Sequence, residues 1–144
     1  MSAPDTSTAR PRTRGIGRVL VAVYAVLAIA ATGRSVFQII DRFDDAPIAY
    51  SLSAAAAVVY VIATLALALR WDLLAWLTIG FEAVGVIVVG TLSVVAPHVL
   101  GVATVDPFGR EATVWSVFGA GYLFVPLVLP ALGMLWLRRT RRER

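Results

Sequence analysis

Four long apolar stretches constrain the fold of this chain more than any other feature. They cover residues 19–40, 50–69, 73–96 and 113–137. Each has about the 20 residues that an α-helix needs to cross about 30 Å of hydrocarbon. A helix also satisfies its own backbone hydrogen bonds, which lipid cannot do. The sequence therefore predicts an all-α fold, a transmembrane four-helix bundle over residues 15–137.

Composition supports this prediction and excludes several kinds of chemistry. Hydrophobic residues make up 59% of the 144 residues, and the mean hydropathy is +0.81. Both values lie outside the range of soluble domains. The chain has no cysteine, which excludes disulfide exchange, thiolate catalysis and cysteine metal sites.

Arginine placement predicts the orientation of the bundle. Only Arg42 and Arg110 flank the ends on one side, and Arg34 lies inside the first stretch. The other ten flank the opposite ends: Arg10, Arg12, Arg14, Arg18, Arg70, Arg138, Arg139, Arg141, Arg142 and Arg144. Because basic segments are retained in the cytoplasm, we expect both termini there (N-in/C-in) in a multi-pass protein of the bacterial cell membrane.

The two ends of the chain differ from the apolar stretches. Residues 1–14 lack apolar periodicity, so we expect a disordered basic cytoplasmic arm. Residues 138–144 form a basic cytoplasmic tail, for which anionic lipid is a better partner than nucleic acid because the tail directly follows the last stretch. The expected lipid contacts are Arg138, Arg139, Arg141 and Arg142. A competing interpretation, a signal peptide cleaved near Ala30, is disfavoured because the apolar run continues to Ile40.

Glu82 is the first candidate for a functional site. It lies near the middle of the third stretch, where a charge costs about 3 kcal/mol, so it should face other helices. Helical spacing places it on one face with Thr78, Gly85, Val89 and Ser93. Two interpretations stay open: an interhelical hydrogen bond or ion pair that fixes the bundle, or the titrating group of a proton or cation carrier.

Arg34 and Gln38 form a polar strip in the outer half of the first stretch. We predict a direct or water-bridged pair between Arg34 and Glu82, across an axial offset of about 8 Å. Without that pair, the guanidinium would extend to the outer headgroups.

Pro126 and Pro130 predict a bend in the fourth stretch, because each lacks an amide donor and obstructs the carbonyl four residues earlier. Broken helices of this kind expose backbone oxygens to substrates in transporters. The alternative is a helix that is simply kinked.

The other polar residues match no pattern of a catalytic site, a metal site or a cofactor site, so we predict none of these. His98 has no second histidine near it, although Asp106 and Glu111 are close in sequence. The weakest hypothesis, a lipid-modifying enzyme, would need outer acids such as Asp44 and Glu111 to converge. Aromatic residues near the predicted ends suit an interfacial belt: Phe43, Tyr50, Trp71, Trp76, Phe108, Trp115 and Trp136.

Three strings resemble those of a group of small, uncharacterised actinobacterial four-span integral membrane proteins. They are ATGRS at 31–35, APIAYSLS at 46–53 and TVWSVFGAGYLFVPLVLP at 113–130. The resemblance implies a membrane fold and no catalytic residues.

Two functions follow as hypotheses. The first is a non-enzymatic accessory or assembly subunit, or a homo-oligomer, that acts through helix–helix contacts. The alternative is a small oligomeric proton-coupled transporter with Glu82 as its titrating group, Arg34 and Gln38 as its partners, and the bend at Pro126 and Pro130 as its moving part.

Overall fold

The computed structural model describes residues 12–143, with side chains from Arg14 onward. Most of the predicted arm, residues 1–11, and the last residue of the tail lie outside the described residues. Residues 12–14, predicted to belong to the arm, form the start of the first helix instead.

Four α-helices and three short 3₁₀ turns make up the regular structure of residues 12–143. The helices are α1 (Arg12–Arg42), α2 (Pro47–Ala68), α3 (Asp72–Val95) and α4 (Val125–Arg142), and the turns are Phe43–Asp45, Pro97–Leu100 and Ser116–Tyr122. No strand occurs within this range. The all-α prediction is therefore confirmed.

Helices α1, α2 and α3 are long and apolar enough to cross a membrane. They correspond to the first three predicted stretches. Large apolar side chains point outward along them, including Ile29 and Ile40, both 75% exposed, and Leu73 at 69%. An exterior of this kind suits lipid better than water.

The fourth predicted stretch, for which a bend was expected, is not one continuous helix. The 3₁₀ turn Ser116–Tyr122 meets α4 at 96°. The break lies at Leu123 and Phe124, whose φ angles of 55° and 59° are left-handed. A continuous right-handed helix cannot include such residues. The described residues therefore hold three candidate spans, or four if the bent pair counts as one.

The break precedes both prolines, and Pro126 contributes to it because its ring obstructs a helix that would continue through the carbonyl of Tyr122. Pro126 lies in the first turn of α4, where its missing N–H would have no intrahelical acceptor in any case. Pro130 lies inside α4, which continues past it to Arg142. The chain bends before the first proline instead of between the two.

Helix packing relies on small side chains. Helix α1 packs along α2, while α3 contacts α2, α4 and the 116–122 turn. Ala31, Ala56, Ala63 and Ala66 are fully buried. Small residues allow helix backbones to approach closely, which is the usual way to gain contact where lipid removes the hydrophobic driving force.

Aromatic and arginine side chains meet at one end of the molecule, which we call the arginine-rich end (the N-terminal ends of α1 and α3 and the C-terminal ends of α2 and α4). Trp136 of α4 packs against Gly17 of α1. The guanidinium groups of Arg138 and Arg141 lie 5.8 and 5.7 Å from the ring centre of Trp76, a cation–π distance. The opposite end, which we call the loop end, carries residues 43–46 and 96–112.

Candidate functional site

Glu82 forms the centre of a buried polar cluster. Its side chain is 0% exposed, and Oε2 accepts a hydrogen bond of 2.6 Å from the hydroxyl of Tyr24. This distance falls in the ordinary range of O–H···O hydrogen bonds. The bond joins α3 to α1 across the middle of the molecule.

Tyr60 and Trp115 complete the cluster. The indole Nε1 of Trp115 donates to the hydroxyl of Tyr60 at 3.0 Å, and that hydroxyl is also in electrostatic contact with Glu82. The rings of Tyr24 and Tyr60 lie 6.2 Å apart. We call these four residues the central cluster. It links α1, α2, α3 and the segment before α4.

Two glycines of α3 receive the aromatic residues of that segment. A Cβ at Gly85 would lie 2.7 Å from the Trp115 ring, and one at Gly90 would lie 2.5 Å from the Phe118 ring. Any larger residue would therefore displace the aromatic ring. Trp115 is only 2% exposed, so its predicted place in an interfacial belt was wrong.

The backbone beside Trp115 is strained. Val117 and Phe118 have φ angles of 48° and 58°, and each such residue costs about 1–3 kcal/mol. The Val117 amide donates to Ser93 Oγ at 2.7 Å, and the Thr113 amide donates to Ser116 Oγ at 2.9 Å. These bonds and the docked aromatic rings hold the left-handed conformation in place.

The predicted pair between Arg34 and Glu82 is not formed. Arg34 Nη2 donates to the carbonyl of Gly109 instead. The physical reason is axial position, because Glu82 lies level with Tyr24, and ten residues of helix separate Tyr24 from Arg34, about 15 Å. The guanidinium is too far toward the loop end to reach the carboxylate.

Arg34 and Gln38 together hold the loop of residues 109–112. Gln38 Nε2 donates to the carbonyls of Arg110 and Ala112 at 2.8 and 3.3 Å. The polar strip predicted on the first helix is thus present, but it binds backbone oxygens and not a carboxylate. Its role in the described structure is to fix the loop end.

Replacing Gln38 by Leu should loosen this loop. Gln38 is 3% exposed, so an apolar side chain of similar size keeps the packing and removes both hydrogen bonds, at a cost of about 1–3 kcal/mol for the carbonyls left unpaired. We expect faster amide hydrogen exchange in residues 106–113 and no change in α3. Equal exchange in both variants would show that Gln38 does not anchor the loop.

Seven buried side-chain atoms among residues 14–143 have no hydrogen-bond partner. One is Glu82 Oε1, in the central cluster. The others are Arg34 Nε, Ser35 Oγ, Gln38 Oε1, Tyr50 Oη, Ser53 Oγ and Trp76 Nε1. Buried polar atoms are nearly always hydrogen-bonded, so each of these marks a position where a partner group would stabilise the fold.

Residues proposed for metal or enzyme chemistry remain at the surface. Asp44, His98 and Glu111 are all exposed. Among residues 14–143, no group of three acidic or histidine side chains is placed to hold a metal ion. Asp45 and Glu111 both lie within electrostatic reach of the Tyr50 hydroxyl.

The α4 arginines predicted to contact lipid lie at the end of that helix. Arg138, Arg139, Arg141 and Arg142 are exposed. Two of them stack on Trp76, so they are held against α3 and are not a free tail.

Sequence reasoning missed the partners of Glu82. Neither Tyr24 nor Tyr60 was predicted as a partner, although a tyrosine in the middle of a span carries a hydroxyl that needs one. Their position near mid-helix was the available signal. We found no match to this chain among protein-family models, curated proteins or solved structures.

Proposed function

We propose that this chain is a non-enzymatic, multi-pass subunit of the bacterial cytoplasmic membrane that acts through helix–helix contacts, with four spans and both termini inside. Three helices and one bent pair of spanning length support the membrane location. The one-sided arginine distribution supports the orientation. The proposal covers an accessory or assembly subunit and a homo-oligomer.

A lateral groove between α1 and α2 carries the proposal. It has a volume of about 370 Å³, and its lining includes small residues such as Ala54 and Ala57 and branched residues such as Val58 and Val61. Ser35 also lines it and is 5% exposed, with no partner for its hydroxyl. Small residues and a hydroxyl in an apolar face are the features that transmembrane helices use to associate.

The ligand that fits this groove is another apolar helix. Val58, which also lines the groove, is 57% exposed, so a neighbouring helix would cover its apolar side chain and those around it. That helix can come from a different protein or from a second copy. The two sources define the two forms of the proposed function.

Cysteine cross-linking tests this proposal directly, because the chain has no cysteine of its own. Val58→Cys in the groove is compared with Val84→Cys on α3, since the two side chains are similarly exposed, 57% and 60%. We expect oxidation in native membranes to give a specific cross-linked product only at position 58. Mass spectrometry then identifies a dimer of this chain or a different subunit.

Equal cross-linking at both positions, or none at either, would contradict the proposal. Ala54→Phe supplies a second measurement, since a large ring in the groove should prevent association. The folded yield, followed by circular dichroism, shows whether this variant still folds.

A proton-coupled transporter is the second candidate, and the unpartnered Oε1 of Glu82 favours it. That oxygen lies among three spans and next to a strained, broken fourth segment, the arrangement found where transporters bind ions. Acid-dependent flux into proteoliposomes that Glu82→Gln abolishes, with folded yield unchanged, would replace our first proposal with this one. Arg34 is bound to the loop, so it is no longer a candidate partner of Glu82 in transport.

A further inference from the structure

We propose that a second groove, at the arginine-rich end, binds the headgroup and upper acyl chains of one anionic phospholipid. The groove lies between α1, α2 and α4 and has a volume of about 510 Å³. This inference rests on the proposed membrane location and not on the helix-contact role.

Three arginines from two elements converge on this groove. Arg14 and Arg18 are one helical turn apart on α1 and share a face, and Arg70 lies just after α2. Among the residues that the structure describes, no acidic side chain forms an ion pair with any of the three. A guanidinium binds phosphate oxygens through paired N–H groups, so this rim suits a phosphodiester.

The floor of the same groove is apolar. Val21 and Leu67 line it about one helical turn further into the molecule than Arg18 and Arg70, and the Trp136 ring, which packs against Gly17, lines it as well. A free phosphate or a soluble polyanion would leave this floor uncovered. A phospholipid suits both the arginine rim and the apolar floor, because its acyl chains begin next to its charged headgroup.

The backbone conformation of Arg70 also supports a role for its side chain in the groove. Arg70 has a φ of 59°, and the Trp71 amide donates to the carbonyl of Ala66 at 2.8 Å, which closes α2 in a Schellman motif. Glycine is usual at this position because it adopts left-handed angles without strain. The chain carries an arginine there in spite of that strain.

Native mass spectrometry of the full chain in detergent tests the proposal. The probes are dioleoyl phosphatidylglycerol, dioleoyl phosphatidylcholine and inorganic phosphate. We expect one tightly bound phosphatidylglycerol per chain, weaker phosphatidylcholine binding and no phosphate binding. Phosphate that binds as well as the anionic lipid would overturn the assignment to a lipid.

Variants separate the groove from general basic charge. The triple variant Arg14→Gln, Arg18→Gln, Arg70→Gly should weaken phosphatidylglycerol binding by about 100-fold, since each arginine near an anionic leaflet contributes about fivefold. The control triple Arg138→Gln, Arg139→Gln, Arg141→Gln removes the same charge from the same end, but none of these side chains lines the groove. Its effect on the affinity for the single lipid held in the groove should therefore be less than about threefold. Equal losses in the two would overturn the groove.

Two single variants keep the test independent of folding. Arg70→Gly should leave the melting temperature unchanged or higher, because glycine relieves the left-handed strain, while affinity falls about fivefold. Ala22→Phe fills the floor and keeps every charge, so it should also weaken binding. Unchanged phosphatidylglycerol affinity in Ala22→Phe would mean that the floor holds no acyl chain. A chain that binds phosphatidylglycerol tightly only after removal of residues 2–11 would assign the groove to the N-terminal segment. Membrane fractionation of each variant shows separately whether the membrane location holds.

Discussion

Replacing Trp115 by Ala is expected to lower the free energy of unfolding by about 3–5 kcal/mol, the range for deleting a large buried aromatic side chain. Trp115 is 2% exposed and packs into the notch at Gly85. Its loss leaves a cavity where α2, α3 and the segment before α4 meet. The measurement is reversible unfolding in mixed micelles, followed by circular dichroism.

Trp115→Phe divides this effect into its parts. Phenylalanine keeps most of the packing and loses the hydrogen bond to the Tyr60 hydroxyl, so we expect a loss of only about 1 kcal/mol. Trp71→Ala is the control, because Trp71 is 54% exposed and exposed substitutions usually change stability by less than about 0.5 kcal/mol. If Trp115→Ala were no more harmful than this control, the buried position of Trp115 would be wrong.

Replacing Glu82 by Ala should cost about 2–4 kcal/mol. The change removes the acceptor of the Tyr24 hydroxyl, which stays buried without a partner, and it also leaves a small cavity. Glu82→Gln keeps an oxygen at the same position, so the bond to Tyr24 persists and we expect a loss below about 1 kcal/mol. The same unfolding measurement applies to both.

A double-mutant cycle with Tyr24→Phe identifies the interaction responsible. The cycle should give a coupling energy of about 0.5–2 kcal/mol between positions 24 and 82, as expected for residues in direct contact. Thr91→Ala is the matched control on α3, since its exposed hydroxyl bonds only to its own helix. Additive effects at 24 and 82 would show that the central cluster does not join α1 to α3.

The hydrogen-bonded central cluster also explains why Glu82 alone does not decide between a structural and a transport role. Oε2 is used to connect helices, whereas Oε1 has no partner among the described residues. A stable Glu82→Gln variant is expected in both cases. Only flux distinguishes them, which is why the transport experiment uses this variant and not Glu82→Ala.

Much of the architecture could be read from the sequence. Three of the four predicted stretches match α1, α2 and α3 within a few residues, apart from the longer N-terminal end of α1. An apolar run of this length has few alternatives, because lipid leaves the backbone no partner outside the segment. The sequence also predicted that Glu82 faces the other helices, because a polar side chain exposed to hydrocarbon is energetically costly.

The fourth stretch shows where this reasoning fails. Its hydropathy resembles that of the others, yet the chain turns at Leu123 and Phe124. The left-handed residues there and at Val117 are maintained by contacts with α3, in particular Phe118 at Gly90 and the Val117 amide at Ser93. No local pattern encodes contacts between residues more than 20 positions apart.

The sequence by itself determined the first three helical segments, which residues cannot face lipid, and that the arginines concentrate at one end. Only the tertiary structure decided which polar groups meet: Glu82 with Tyr24, Trp115 with Tyr60, and Arg34 with the Gly109 carbonyl. The physical reason is that the burial of a polar side chain depends on that residue alone and on its depth in the membrane. Pairing depends on the axial register and rotation of two helices, which side-chain packing sets.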